Sequence, residues 1–221
     1  IIDQDPKHVD ALNLLVSVAL RSRDVASAER RNAEVLAADP NNETALLIQA
    51  TILMAKGQPA EALACVEAYR KTEAGGKSVN CYLTLAWLHL QAKRFEDAGR
   101  AIDEAQRLAP SSPPVLSARL EWLAAQKRYD DLAGLAANPP AGTLDVSGFR
   151  DRAVTMLAST GDSKQLKMAI DLCRMVTQSE PQRVGAYVRL GQLQYAAKDL
   201  AAAQLAYRKA LELAPDLQQA L

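Results

Sequence analysis

Hydrophobic residues recur along most of this chain at intervals of three and four, the spacing that places them on one face of a helix. The amphipathic segments run for about 12 to 14 residues, a common length for a globular helix. Short turns that contain Gly or Asp separate them, for example Lys56-Gly57-Gln58 and Ala197-Lys198-Asp199. This alternation predicts pairs of neighbouring helices, each pair forming a helical hairpin.

Prolines mark a regular period along the sequence. Pro40 follows Pro6 by 34 residues, and Pro215 follows Pro181 by the same interval. Pro110 lies 70 residues after Pro40 and 71 before Pro181, so each longer gap is two periods plus 2 or 3 residues. Helical segments of similar sequence end at Pro40, Pro110 and Pro215, where proline stops a helix. The chain is therefore predicted to repeat one hairpin about every 34 residues.

The segment from Val184 to Pro215 shows the repeat most completely. Its large and small residues follow a fixed order, namely Tyr187, Leu190, Gly191 and Tyr195 on the first helix, then Ala203, Tyr207, Ala210 and Pro215. The segment that ends at Pro110 has a similar order, with His89 at the position that corresponds to Tyr195. These residues resemble the tetratricopeptide repeat, or TPR. The resemblance implies an all-α fold, a right-handed superhelical solenoid of antiparallel helix-turn-helix repeats.

On this interpretation residues 1–221 form a single TPR array. We predict repeats at residues 7–40, 41–76, 77–110, 111–145, 146–181 and 182–215, with partial repeats at 1–6 and 216–221. The partial repeats indicate a fragment of a longer TPR protein, and the style of the array resembles bacterial members. Pro139-Pro140 interrupts the second helix of the fourth repeat, so we expect a weak joint there.

Charge and hydropathy argue against nucleic acid and membrane lipid as partners of this chain. Lys and Arg together number 26, as do Asp and Glu, so no net charge attracts nucleic acid or anionic lipid. No apolar run approaches the roughly 18 residues of a membrane span, and direct membrane insertion is not expected. The sequence carries no targeting signal, which leaves the cytoplasm and the periplasm open. Cys65, Cys81 and Cys173 lie in apolar helical stretches; whether Cys65 and Cys81 pair also stays open.

Candidate chemistry is sparse. The two histidines, His8 and His89, have no metal-ligand spacing, and His89 is expected to pack against its partner helix. Gly76-Lys77-Ser78 resembles the end of a phosphate loop, but Lys71 stands where that motif needs another glycine. No nucleophile has a partner histidine at a sensible repeat position. We therefore predict no catalytic residue, no metal site and no cofactor.

The TPR resemblance implies that the first helix of each hairpin lines a concave groove that holds a peptide or partner protein. Carried onto this sequence, the predicted groove residues are Leu47, Thr51, Met54, Leu83, Trp87, Leu90, Glu121, Arg152, Arg189 and Gln192. Trp87 is the expected anchor, because tryptophan on an apolar surface often dominates binding. The alternative, that Trp87 packs against the neighbouring hairpin, stays open. Arg152 and Arg189 are expected to hold an acidic group of the partner.

These observations favour a non-catalytic protein–protein interaction scaffold. Long Ala- and Leu-rich arrays of this style resemble those of bacterial secretion, exopolysaccharide export and envelope assembly systems. Two alternatives remain open: a self-assembling TPR module that forms a homo-oligomer, and the regulatory TPR region of an enzyme whose catalytic domain lies outside this chain.

Overall fold

The computed structural model describes residues 9–215, and of Val9 and Asp10 only the backbone. Over that range the chain is all helical, which confirms the predicted fold class, and the partial repeats at 1–6 and 216–221 lie outside it. The described helices are α1 (Val9–Arg21), α2 (Val25–Ala38), α3 (Glu43–Ala55), α4 (Pro59–Arg70), α5 (Val79–Gln91), α6 (Phe95–Leu108), α7 (Pro113–Ala125), α8 (Tyr129–Ala137), α9 (Val146–Ala158), α10 (Ser163–Ser179), α11 (Val184–Ala196) and α12 (Leu200–Leu213), with a short 3-10 turn at Gly75–Lys77. They pair in chain order into hairpins, and the exact repeat bounds stay predictions.

Capping side chains fix where many of these helices begin. Asn42 accepts a hydrogen bond from the backbone N–H of Ala45, and Ser78 accepts one from Cys81. Asp199 does the same for Ala202 at the start of α12. Each bond satisfies one of the backbone donors that a helix leaves unpaired in its first turn. The sequence therefore sets helix starts locally, before any packing.

The turn inside each described hairpin is built in the same way. One residue of each turn has a positive φ, the left-handed conformation that ends a helix and reverses the chain. In chain order these residues are Arg23, Gly57, Lys93, Lys127, Gly161 and Lys198, with φ between 57° and 75°. In the third hairpin the N–H of Lys93 then donates to Leu90 and that of Arg94 to His89, closing the last turn of α5.

The chain divides into two compact units, residues 1–110 and 111–221. In unit 1 the described core includes two clusters that each join α1, α2 and α3. Val16, Ala28 and Ile52 form one of them, and Leu12, Val35 and Ala45 form the other, all at most 1% exposed. The first hairpin therefore closes its core with the first helix of the second hairpin, as stacked repeats require.

In the described part of unit 2 a core cluster runs from α7 to α12. Leu132 and Ala136 enter it before the Pro139-Pro140 connector, and Phe149 and Ala153 enter it after. Helix α8 is short and ends at Ala137, as the prolines predict, but the core continues past them. The prolines lie inside unit 2 rather than at the boundary after Pro110, and the weak joint expected at them stays a prediction.

Small residues allow the helices within a hairpin to approach. Ala28, Ala62, Ala98, Ala169 and Ala203 recur on the second helices, and each is at most 3% exposed. In the last hairpin Gly191 of α11 faces Tyr207 of α12, and a Cβ atom at Gly191 would lie 2.7 Å from the ring. The aromatic ring fills the space that the missing side chain leaves.

Candidate partner-binding surface

Six of the predicted groove residues lie on α3 and α5 of unit 1. They occupy matching positions on the two helices, 36 residues apart in the sequence, and α3 contacts α5. The spacing of i, i+4 and i+7 on each helix puts them on a shared side. We call this set the unit 1 face: Leu47, Thr51 and Met54 of α3, and Leu83, Trp87 and Leu90 of α5.

The unit 1 face is apolar and partly open to solvent. Thr51 is exposed, whereas the other five side chains are half-buried. Ile52 of α3 and Leu85 of α5, next to them in position, are buried in the core. The sequence left open whether Trp87 packs against the neighbouring hairpin or is available to a partner. Its side chain is half-buried, so part of it is packed and part is accessible.

The other four predicted residues lie in unit 2 and are charged or polar. The guanidinium of Arg152 on α9 bonds Glu121 of α7 at 3.1 Å. Arg189 of α11 donates to the hydroxyl of Thr155 on α9, and Gln192 is exposed one turn further along α11. The structure thus joins Glu121 with Arg152, and it gives Arg189 a partner that the sequence did not predict.

These contacts change the expected role of the two arginines. We expected Arg152 and Arg189 to await an acidic group, but each already has a bond within the chain. The side chains of Arg152 and Glu121 are 51% and 46% exposed, and ion pairs this exposed stabilise by less than about 1 kcal/mol. An incoming carboxylate can therefore exchange with Glu121 at small cost.

Tyr195 is a correction to the sequence interpretation. The repeat pattern assigns it to the packing position of the first helix, but its side chain is 65% exposed. Gln194, one residue earlier, occupies the packing position instead. Its side chain is 5% exposed, and it corresponds to His89 in α5. Tyr195 instead corresponds to Met54 and Leu90, so it extends the first-helix side of unit 2, where the sequence did not predict it. Counting from the helix start, rather than matching residue type, would have found it.

The three cysteines and His89 are not among the predicted groove residues. All three cysteines are free thiols, which answers the open question about Cys65 and Cys81. The thiol of Cys65 donates to the carbonyl of Leu46 at 3.8 Å. Burial raises the pKa of Cys81, and that of Cys173, to about 11. His89 is 7% exposed, as the packing prediction required, and burial lowers its pKa.

Metal-binding clusters and membrane-spanning helices are both missing from the described part of the chain. Within residues 9–215 no group of three or more His, Cys, Asp or Glu side chains is arranged to hold a metal ion. Among the helices of that same range, none has the combination of length and hydropathy that crossing a bilayer requires.

Known repeat families match this architecture. A tetratricopeptide repeat model matches residues 13–78 and again 47–113, and a second such model matches residues 184–217. The chain belongs to the tetratricopeptide repeat family. TPR proteins are generally non-catalytic repeat scaffolds, and the TPR fold implies protein or peptide partners. No curated protein sequence matches the chain.

Solved TPR structures share the fold at low sequence identity. Yeast Tom70 is 17% identical, with 99% of this chain and 45% of that chain covered and a TM-score of 0.68. PilF of Pseudomonas aeruginosa is 15% identical, with 94% and 92% covered and a TM-score of 0.59. A chain of the APC/C hetero-tetramer Cut9-Hcn1 is 13% identical, with 97% and 42% covered and a TM-score of 0.54. This chain spans less than half the length of the first and the last, and these likenesses establish the fold alone.

Proposed function

We propose that this TPR chain is a non-catalytic scaffold that binds a peptide or partner protein on its first helices, with Trp87 as the anchor. The observation that carries the proposal is the unit 1 face, in which half-buried apolar side chains and the exposed Thr51 surround a partly accessible tryptophan. Tryptophan is enriched among the residues that dominate binding free energy, since its large ring is desolvated on contact.

Unit 2 carries a polar surface of its own, which we propose as a second, separate binding surface. Arg152, Arg189 and Gln192 offer donors on α9 and α11, and the partner's acidic groups displace the exposed bonds to Glu121 and Thr155. Tyr195 adds an exposed aromatic ring beside them. A partner of the unit 1 face thus offers apolar side chains, and a partner of the unit 2 surface offers at least one carboxylate. By resemblance of the array, we place this binding in a bacterial secretion, exopolysaccharide export or envelope assembly system.

The test begins with affinity capture on the wild-type chain and ends with titration of the partner identified. We expect Trp87→Ala to weaken the measured Kd at least about tenfold, or about 1.4 kcal/mol. The control is Leu205→Ser, which removes an apolar side chain that is 65% exposed on the second helix α12. If Trp87→Ala and Leu205→Ser bind the partner with equal affinity and have equal thermal stability, Trp87 is not the anchor.

Self-association is a second candidate, favoured by one observation. Leu14 and Val18 of α1 are 70% and 48% exposed. They occupy the positions of Ile48 and Ile52 on α3, which pack into the core cluster of Val16 and Ala28. A second copy of the chain can cover the same positions on α1. Light scattering across a concentration series tests self-association. We expect the molar mass of the wild-type chain to rise with concentration and that of Leu14→Glu to stay at the monomer value. A wild-type chain that is monomeric at every concentration excludes self-association.

A further inference from the structure

A pocket of about 200 Å³ lies in unit 2, and residues of α7, of the connector before α9 and of α9 itself line it. We call it the α7–α9 pocket. At roughly 30 Å³ per water molecule, its volume is that of about seven waters, which is enough for the four side-chain carbons of a leucine. Arg152 is one of its lining residues, so the pocket adjoins the polar surface proposed for unit 2.

Two small residues leave this space open. Ser117 is the fifth residue of α7, whereas the fifth residues of α3 and α5 are Leu47 and Leu83. Helix α7 therefore lacks the isobutyl group that this position carries on α3 and α5. On α9, Gly148 has no side chain, and a Cβ atom there would lie 2.0 Å from a carboxylate oxygen of Asp145. The local structure thus keeps the pocket free of side-chain atoms at both positions.

The pocket has apolar walls. Leu116 of α7 is 1% exposed and Phe149 of α9 is 7% exposed, and both belong to the core cluster of unit 2. Leu144 of the connector is 89% exposed, and its two neighbours in sequence line the pocket. A partner that fills the pocket and covers Leu144 removes apolar surface from water, which favours binding.

The charged groups of the lining favour an uncharged occupant. Glu121 bonds Arg152 and balances its charge, and the partial positive charge at the N-terminus of α9 offsets that of Asp145. Asp145 is exposed, and one of its oxygens accepts the backbone N–H of Gly148 at 2.8 Å. A carboxylate has about four acceptor sites, so Asp145 can accept a further N–H without losing this bond. An apolar side chain on a peptide backbone offers both the carbon atoms and the N–H.

We propose that the α7–α9 pocket binds a leucine-sized apolar side chain of a partner protein. The side chain packs on Leu116 and Phe149, and the backbone N–H of the same partner residue donates to Asp145. This inference rests on the proposed scaffold function, and it names a part of the partner that unit 2 binds. Trp87 lies in unit 1 and does not line the pocket, so the Trp87→Ala test can succeed or fail independently of the tests below.

The first experiment titrates the wild-type chain with N-acetyl-leucine amide, N-acetyl-alanine amide and isobutanol, and follows the Phe149 ring by NMR. The chain has two phenylalanines, and Phe95 in unit 1 is the internal reference. We expect the leucine amide to shift Phe149 saturably, with a Kd of roughly 1 to 10 mM. It should bind at least about tenfold tighter than the alanine amide, because its extra carbons leave water. Equal affinities for the two amides overturn the proposal. Isobutanol that binds as tightly as the leucine amide also overturns it, since the pocket then takes a free small molecule.

The second experiment makes one substitution at two places in unit 2. Ser117→Leu fills the pocket, whereas Ser179→Leu adds the same side chain at an exposed position of α10 outside the lining. We expect Ser117→Leu to abolish binding of the leucine amide and Ser179→Leu to leave it unchanged, with circular dichroism as the check of folding. Equal binding by these two variants contradicts the site, and the amide comparison on the wild-type chain decides if Ser117→Leu does not fold. A wild-type chain that dimerises in light scattering, with Leu144→Ser monomeric, would assign the pocket to a second copy and overturn the proposal.

Discussion

Gly191 shows at the scale of a single residue how size complementarity holds a hairpin together. It lies on the first helix α11 opposite Tyr207 of the second helix α12, and the ring of Tyr207 fills the space beside it. Because the interior is close-packed, one added methyl group has no room without movement of the ring. Gly185, on the same helix, faces open space. The two glycines therefore offer a matched pair of substitutions.

We expect Gly191→Ala to lower the free energy of unfolding by about 1 to 3 kcal/mol, because it overpacks the contact with Tyr207. Gly185→Ala should be neutral or stabilising by about 0.5 kcal/mol, since alanine favours the helix. Urea denaturation followed by circular dichroism measures both. A Gly191→Ala chain as stable as wild type would show that Tyr207 moves freely.

His89 makes the stability of the fold depend on pH. Its folded pKa lies below the ordinary 6.5, so between those values the unfolded chain binds a proton that the folded chain does not. Stability is therefore lost as pH falls below 6.5. The loss reaches at most about 1.4 kcal/mol per pH unit for one proton.

The test compares wild type with His89→Gln between pH 7.5 and 5 by urea denaturation, and we expect a shallower decline in the variant. Absolute stability differs between the two chains for packing reasons, so the slope against pH is the measurement. Parallel slopes would mean that His89 titrates normally in the folded state.

The left-handed turn residue is the feature that the six described hairpins share at the scale of elements. Gly57 and Gly161 adopt it without a side-chain penalty, whereas each of the other four turn residues adopts it at a cost of about 1 to 2 kcal/mol. Those four are Arg23, Lys93, Lys127 and Lys198. The fold imposes this conformation, because the chain must reverse within about three residues between adjacent helices.

We expect Lys93→Gly to raise the free energy of unfolding of unit 1 by about 0.5 to 1 kcal/mol, the strain relieved less the extra freedom of glycine in the unfolded chain. Gly57→Ala is the converse change, at φ 75° with open space around it, and should lower stability by about 1 kcal/mol. Thermal melts of both variants measure the pair. The same sign of effect in both would contradict the conformational explanation.

The helices differ in how far their surface and buried residues could be predicted from the sequence. The groove residues such as Leu47 and Leu83 were assigned by carrying the TPR resemblance onto this sequence. The structure places them at matching positions of α3 and α5, and their role in binding stays a prediction. The assignment of Tyr195 failed because adjacent helical positions differ by about 100° in direction, and a one-residue error exchanges core for solvent. A cavity in unit 1 that Glu67, His89 and Glu104 help to line was not predictable, because three helices supply its residues and no local spacing links them.

At the scale of the whole chain, the two units carry separate reporters of unfolding. Cys81 in unit 1 and Cys173 in unit 2 are fully buried, and burial raises the pKa of each thiol to about 11. A buried thiol with so small a thiolate fraction does not react until its surroundings open. Cys65, half-buried and in unit 1, should react first.

We expect a thiol reagent at pH 8 to label at most Cys65 in the native chain, and to reach Cys81 and Cys173 at different urea concentrations, because repeat arrays open in parts. Cys81→Ser and Cys173→Ser variants assign the signals, and mass spectrometry of labelled peptides measures them. A single shared midpoint would show that the two units unfold as one.

The unit 1 face is apolar, whereas the predicted residues of unit 2 are charged or polar. The effect of salt on the affinity of a partner therefore distinguishes binding at one surface from binding at the other. Contacts with the apolar unit 1 face depend little on added salt, since they bury carbon surface rather than charge. Contacts that replace Glu121 at Arg152 weaken as the screening length shrinks from about 10 Å at 0.1 M salt to about 3 Å at 1 M. A partner whose affinity is unchanged across that range rests on Trp87 and its neighbours, and one released by salt is held by the arginines.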